Sequence, residues 1–297
     1  MKVLNFGSLN VDYVYKVDHI IVRGETQQTK SREIFSGGKG LNQSIAMARA
    51  GLDVYHAGNT GQGGEFLLDI LKNSGVHTDF VKILPDVPTG HTVIQNDKDG
   101  DNCILLFGGA NQKVTEEQIQ ETISNFSEGD YIVLQNEINR TGEIMEAAHK
   151  KGLKIVLNPS PYNEKIEKLP LAYTDLFFLN EIEASQMTGV SADDHDGLLE
   201  SLEKKFPDAH IVLTLGSAGS YYAYHGERIH QDIFHVKSVD TTAAGDTFSG
   251  YFLSGISRGL IPAESLRLAA KASAIAVTRP GAAPSIPTLA ETEAAEL

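Results

Sequence analysis

The chain has 297 residues, with 25 Lys and Arg against 39 Asp and Glu, for a formal charge of −14. That length suffices for a sizeable core in one domain or two, and the acidity argues against nucleic acid or an anionic membrane surface as a partner. One cysteine, Cys103, excludes an internal disulfide; with no signal-peptide pattern after Met1 and no apolar run of membrane-spanning length, a cytoplasmic protein is expected.

Short apolar runs alternate with amphipathic ones along the chain. Residues 3–6 read as a buried strand, and 11–35 then alternate loosely (Val11, Tyr13, Tyr15, Val17) without a helical period. A helical stretch through Ile45, Met47 and Ala48 ends at Gly51, followed by a strand at 54–57 and a helix at 65–71. Residues 89–107 read as a hairpin, with strands at 92–95 and 102–107 around Asp97-Lys98-Asp99-Gly100. A helix at 116–123 carries Thr115 and Gln118 as a capping box. Strands at 131–134, 155–157, 176–179 and 211–215 then alternate with helices at 142–149 and 198–206. Tyr221, Tyr222, Tyr224 and Ile229 around His225-Gly226-Glu227 suggest an antiparallel hairpin at the edge of the sheet. The Pro- and Ala-rich tail from Pro284 is expected to end in a short helix. This rhythm predicts an α/β fold: a mostly parallel sheet with helices on both faces. No repeat, low-complexity tract or linker interrupts it, so residues 1–297 read as one domain.

Two glycine-bearing turns carry the chemistry. In Asp240-Thr241-Thr242-Ala243-Ala244-Gly245-Asp246 a small, flexible run opens a helical pattern (Phe248, Tyr251, Phe252, Ile256). A helix N-terminus is an anion site, since its first N–H groups lack partners and its dipole end is positive. Asp246 in the first turn sets a carboxylate beside that site, as phosphoryl transfer to a hydroxyl requires; taken alone, it would read as a helix cap. The second turn, Ser36-Gly37-Gly38-Lys39-Gly40-Leu41-Asn42-Gln43, also precedes a helix and offers close backbone approach, a cation and an amide. It is not a P-loop, because Gly40 and not Ser or Thr follows Gly-Lys.

Together the two turns resemble the signatures of the ribokinase family of sugar kinases, the phosphofructokinase-B type. The resemblance runs through Gly7-Ser8-Leu9-Asn10-Val11-Asp12, Asn158-Pro159-Ser160-Pro161, Asn180-Glu181-Ile182-Glu183, Leu215-Gly216-Ser217-Ala218-Gly219 and the stretch from Ala276 to Ser285, in the family's order. It implies a ribokinase-like fold in which 11–35 and 89–107 form a small β-sheet lid over the sugar. By the same resemblance Asp246 is the base, and Ala243, Ala244 and Gly245 supply N–H groups to the transferring phosphoryl. Asp12, Gly38, Lys39, Asn42 and Glu137 then hold the sugar. Asn180 and Glu183 organise Mg2+ and the ATP phosphates, largely through water; Thr214, Leu215, Gly216, Ser217, Ala218, Gly219 and Ala270 lie on the nucleotide side. Asp240, Thr242, Ala276, Arg279, Gly281 and Ser285 match the loops that hold a monovalent cation, K+, largely by carbonyls, the kind of oxygen ligand that hard cations prefer.

Three positions depart from the family's pattern. Pro280 stands where many ribokinases have Lys, Ala270 where His or Asn is common, and Leu41 in place of Ala would crowd the sugar pocket. The resemblance implies ATP-dependent phosphorylation of the primary hydroxyl of a pentose, D-ribose first, by a homodimer joined through lids that expose Val93, Ile104 and Leu106. The rivals are a nucleoside, fructose or ketodeoxygluconate kinase, or a sugar sensor without catalysis. Because an acidic chain must gather phosphates locally, Lys39, Lys271 and Arg279 also draw attention. Gly255-Ile256-Ser257-Arg258-Gly259 fits the hydrolase nucleophile pattern, but a helix precedes it and no histidine follows, so it reads as a helix end.

Overall fold

In the computed structural model, which describes residues 1–99 and 101–297, neighbours along one strand enter different cores. Leu4 and Phe6 pack on one face of a sheet and Val3 on the other, as the two-residue period of a strand demands. The first half of the chain forms β1 (Val3–Phe6), β2 (Asn10–Lys16), β3 (Ser31–Gly37), α1 (Lys39–Arg49), β4 (Val54–Gln62), α2 (Glu65–Asn73), β5 (His77–Pro88), β6 (Gly90–Asn96) and β7 (Asn102–Phe107). There follow α3 (Glu116–Ser124), β8 (Tyr131–Gln135), α4 (Thr141–Lys151), β9 (Lys154–Asn158), β10 (Thr174–Asn180), α5 (Glu181–Thr188) and α6 (His195–Lys205). The last elements are β11 (His210–Thr214), β12 (Ser220–Tyr224), β13 (Glu227–Gln231), α7 (Ala244–Ser257), α8 (Pro262–Val277) and α9 (Leu289–Ala294).

Nine strands form the main sheet in the order β13-β12-β11-β10-β9-β8-β1-β4-β5. Its pairs are parallel except β11–β12 and β12–β13, the expected edge hairpin. Helices α3 to α6 cover one face through Ile119, Ile144, Ala184 and Leu198, and α1, α2, α7 and α8 cover the other through Ile45, Leu67, Phe252 and Leu266. Each of the larger of these side chains, withdrawn from water, contributes about 2 kcal/mol of hydrophobic stabilisation. Among the described residues no helix is long and apolar enough to cross a membrane.

One strand was missed and one expectation needs correction. β5 went unread because Asp79, Lys82, Pro85, Asp86 and Pro88 obscure any apolar alternation; as the edge partner of β4 it tolerates both prolines. The capping box at α3 is only half made. Thr115 accepts from the Gln118 N–H, but the Gln118 amide crosses to the Gly58 carbonyl at 3.1 Å.

The second sheet has the order β3-β2-β6-β7, with β2 and β6 parallel and the outer pairs antiparallel. Its strands come from the two segments, 11–35 and 89–107, that break the α/β rhythm, with β2 starting at Asn10 and β3 ending at Gly37; Gly100 lies outside the described residues. Ile104 and Leu106 are exposed as expected, whereas Val93 is half-buried. Register puts Asp12, Phe35, Thr92 and Leu106 in one row across the sheet, so Leu106 and Ile104 share the face of Asp12. Leu105 and Phe107, also exposed, belong to the opposite face.

Candidate active site

The chain from Gly37 to Gln43 threads past four separate parts of the fold. Gly37 lies opposite Asn10 in the lid, and a side chain there would strike the Asp12 carboxylate 1.9 Å away. Gly38 turns the chain into α1 at φ 94°, a left-handed value that favours glycine. The next N–H, of Lys39, donates to Glu137 at 3.0 Å, and Glu137 also accepts from the Ser8 hydroxyl. Asp12 accepts from the Thr92 hydroxyl at 2.5 Å. Burial pushes the Asp12 and Glu137 carboxyls above the ordinary carboxylate range, against the pull of these bonds. For Lys39 burial opposes the charge, yet the carboxylates of Asp246, Glu137 and Glu183 outweigh it and hold the ammonium above its usual value.

The other arm is α7. Ala243 at φ 60° is left-handed, a conformation that costs a residue with a side chain on the order of 1 kcal/mol. Followed by right-handed Ala244, it gives the alternating left- and right-handed pair of residues found in anion nests. The Ala244 N–H bends back to Thr241 at 3.2 Å; those of Ala243, Gly245 and Asp246 have no acceptor among the described residues. Asp246 caps no N–H of its own helix. Its buried carboxylate reaches across to α1, Oδ2 accepting from Asn42 Nδ2 at 3.1 Å and Oδ1 from Gln43 Nε2 at 2.9 Å.

Two cavities meet at this helix end. One, of about 240 Å³, is lined by Lys39, Asn180, Glu183, Ala243, Gly245 and Asp246. The larger, of about 580 Å³, holds Gly216, Ser217, Gly219 and Ala270 against Phe234, Phe248 and Val277. Asn180, Thr214, Thr241, Ala244 and Gly245 line both. Asn180 and Glu183 form a reciprocal capping box, with N–H to side-chain contacts of 2.8 and 3.1 Å, so cap and cavity wall coexist in the same residues. Leu215 is buried in the core, and the Ala218 carbonyl accepts from the His230 ring at 3.0 Å; neither lines a cavity.

At the third loop the Asp240 carboxylate collects the Thr242 N–H and hydroxyl at 2.9 and 2.6 Å and the Gly281 N–H at 2.8 Å. These bonds hold its carboxyl below the usual range although burial opposes them. Asp240 thus ties the 240s turn to the 276–285 loop. There the Ala276 carbonyl accepts from the Arg279 N–H, and the buried Ser285 hydroxyl donates to the Ala282 carbonyl. The Arg279 side chain leaves for Glu291 at 3.1 Å and Lys271 for the Glu293 carbonyl at 3.2 Å, so neither lines a cavity. Leu41 packs wholly inside the core and lines neither cavity. Residues 255–259 are the end of α7, with Gly259 at φ 83°. Gln43, Asn158, Ser8 and Gln135 went unassigned from sequence. Gln43 follows Lys39 by four residues and shares its helix face, the signal that would have found it.

The sequence profile of the pfkB family carbohydrate kinases matches residues 1–289, and the chain belongs to that family. The ribokinase of Haemophilus influenzae is 33% identical over 293 residues, covering 96% of this chain and 95% of that one. The Arabidopsis thaliana ribokinase complexed with ribose and ATP superposes with a TM-score of 0.87 at 30% identity, over 98% of this chain and 97% of its own. The Cryptococcus neoformans var. grubii ribokinase in complex with ADP gives 0.86 at 30%, over 98% of each chain. The fold is therefore ribokinase-like, and the chain a carbohydrate kinase.

Proposed function

We propose that this kinase transfers the γ-phosphoryl group of ATP to the primary hydroxyl of D-ribose, giving ribose 5-phosphate and ADP. One observation carries the reading: the Asp246 carboxylate, held from α1, lines the smaller cavity next to Gly245, which lines both, and beside the unpartnered N–H groups of Ala243 and Gly245. The sugar lies under the lid against Asp12, Gly38, Lys39, Asn42 and Glu137. Asp246 accepts the hydroxyl proton as that oxygen attacks the γ-phosphorus and ADP leaves. The N–H groups of Ala243 and Gly245, with Lys39, meet the charge that spreads over the phosphoryl oxygens.

No cluster of three or more metal-binding side chains occurs among the described residues. Of the two buried carboxylates at the cavity wall, Asp246 is engaged by Asn42 and Gln43, and Glu183 suits Mg2+ that arrives on the nucleotide and keeps most of its waters. The loops tied by Asp240 suit K+, with Thr242, Ala276, Gly281 and Ser285 around it. Bound Mg2+ supplies charge neutralisation; every proton in the scheme stays with Asp246. We further propose a cytoplasmic homodimer joined through the lids, whose exposed apolar residues and open edges favour association.

The test is ADP release with a panel of sugars and nucleosides. D-Ribose is expected to give the highest kcat/KM. A nucleoside or hexose preferred by more than about tenfold, some 1.4 kcal/mol of transition-state discrimination, would sink the ribose assignment.

A further inference from the structure

We infer that Gln43 is the positioning residue for the Asp246 carboxylate, and that a buried chain of amides behind it fixes its orientation; this rests on Asp246 being the base. An ionised carboxylate only accepts hydrogen bonds, so Gln43 must turn its NH2 group toward Asp246 Oδ1, 2.9 Å away. The second hydrogen on that nitrogen reaches Asn158 Oδ1 at 3.2 Å. Gln43 Oε1 is left facing Gln135 Nε2 at 2.7 Å, and the other Gln135 hydrogen goes to Asn5 Oδ1 at 3.0 Å. Asn5 in turn donates to the Gly40 carbonyl at 2.7 Å and to Ser44 Oγ at 2.8 Å. Ser44 closes the chain on His56 Nδ1 at 2.8 Å, a ring that burial keeps neutral and therefore able to accept there.

Asn5, Gln43, Ser44, His56 and Gln135 are each 1% exposed or less, so the bonds among them are shielded from solvent. Turning over the Gln43 amide would set oxygen against the carboxylate and NH2 against NH2. The orientation is therefore enforced from both ends. Gln43 lines neither cavity; it meets the smaller one through Asp246 and Asn158, and of these two only Asp246 takes part in the proposed proton transfer. With Asn42 on Oδ2 and Gln43 on Oδ1, the plane of the carboxylate is fixed, and a lone pair stays aimed at the sugar hydroxyl throughout the catalytic cycle. Without Gln43 the carboxylate could swing about its last torsion and face the hydroxyl only part of the time.

The experiment compares Gln43→Leu, Gln135→Leu, the double variant and Asp246→Asn with the parent enzyme, measuring kcat and KM for D-ribose together with ADP affinity and thermal melting. A misaligned base loses turnover and leaves binding alone, so Gln43→Leu is expected to lower kcat by about ten- to a hundredfold with KM within about threefold. Gln135→Leu, one step further back, should lower kcat by about threefold or more, and the double variant should be no slower than Gln43→Leu, as expected of groups that act as one unit. Full turnover in folded Gln43→Leu, a rise in KM matching the fall in kcat, or additive losses in the double variant would each overturn the inference. Should Gln43→Leu not fold, Gln135→Leu decides alone, and unchanged kcat there is fatal. If Asp246→Asn itself keeps its turnover, the base assignment falls; if it loses turnover while Gln43→Leu does not, only the positioning role falls.

Discussion

Asp246→Asn separates chemistry from architecture because of what surrounds the carboxylate. Replacing one oxygen by NH2 sets a donor against one of two donors, Asn42 Nδ2 or Gln43 Nε2. Gln43 is locked by Gln135, whereas Asn42 Oδ1 is buried without a partner. Asn42 therefore turns over and both bonds are remade, now between neutral groups. A hydrogen bond to a charged group contributes about 1 kcal/mol more than a neutral one, so two cost roughly 2 kcal/mol. Relief from burying an ion offsets part of that. At about 2–4 °C per kcal/mol the melting temperature should fall by no more than about 8 °C. Turnover should fall by about 10²–10⁴, or about 2.7–5.5 kcal/mol of barrier, since the amide cannot take the proton. Coupled ADP-release kinetics at saturating ribose and Mg2+, run beside a melt, measure both. The reversed Asn42 amide should also raise the KM for sugar. A folded variant turning over within about tenfold of the parent would remove Asp246 from the mechanism.

Glu137→Gln should stabilise the free protein near neutral pH while weakening sugar binding. Burial raises this carboxyl, so the penalty of its ionised form is absent below the unfolded pKa and complete only above the folded one; melts at acid and neutral pH that show the same difference between variant and parent would refute this. Adding K+ to a potassium-free assay at constant ionic strength should raise the rate, and Asp240→Ala, which unties the two loops, should abolish the response; since Arg279 is engaged with Glu291, a flat response in the parent excludes the cation rather than pointing to a built-in substitute. If the lids join through the face that carries Asp12, light scattering at micromolar concentration should give a dimer mass for the parent and for Leu105→Glu but a monomer mass for Ile104→Glu and Leu106→Glu; the reverse pattern assigns the opposite face, and a monomeric parent removes the dimer.

How far the sequence carried can be argued from particular strands. Val3, Leu4 and Phe6 are apolar on both faces, so β1 announces a strand buried on both sides, and the same holds across β8 to β11. β5 has one strand neighbour and a largely exposed surface, so nothing forced an apolar pattern on it. The faces of the lid could not be read either. Alternation says that Ile104 and Leu105 point in opposite directions, but which of them joins Asp12 depends on the pairing of β6 with β7 and β2. At the site, Lys39, Asn42 and Asp246 stood out because each belongs to a local turn. Gln43 meets its partner 203 residues away and looks like any amide on a helix until the fold closes. Asn5 and Gln135 left a fainter trace, as polar residues in the otherwise apolar strands β1 and β8, and His56 lies beside Asn5 in register on β4.

The net charge of −14 poses a problem that this arrangement resolves with the backbone. Of the cations that the sequence put forward for gathering phosphates, Lys271 and Arg279 are turned outward, which leaves Lys39 in the cavity with Asp246 and Glu183. One ammonium cannot balance two carboxylates and a triphosphate together. The remaining attraction comes from groups that carry no formal charge: the N–H groups of Ala243 and Gly245, the N-terminus of α7 behind them, and the glycine turn at 216–219. Such dipoles act over a turn of helix and are fixed before the nucleotide arrives, so they favour phosphate at one place without drawing polyanions to the surface. They also leave the nucleotide's charge largely uncompensated, a deficit that the proposed Mg2+ would cover by arriving on the nucleotide and keeping most of its waters beside Glu183.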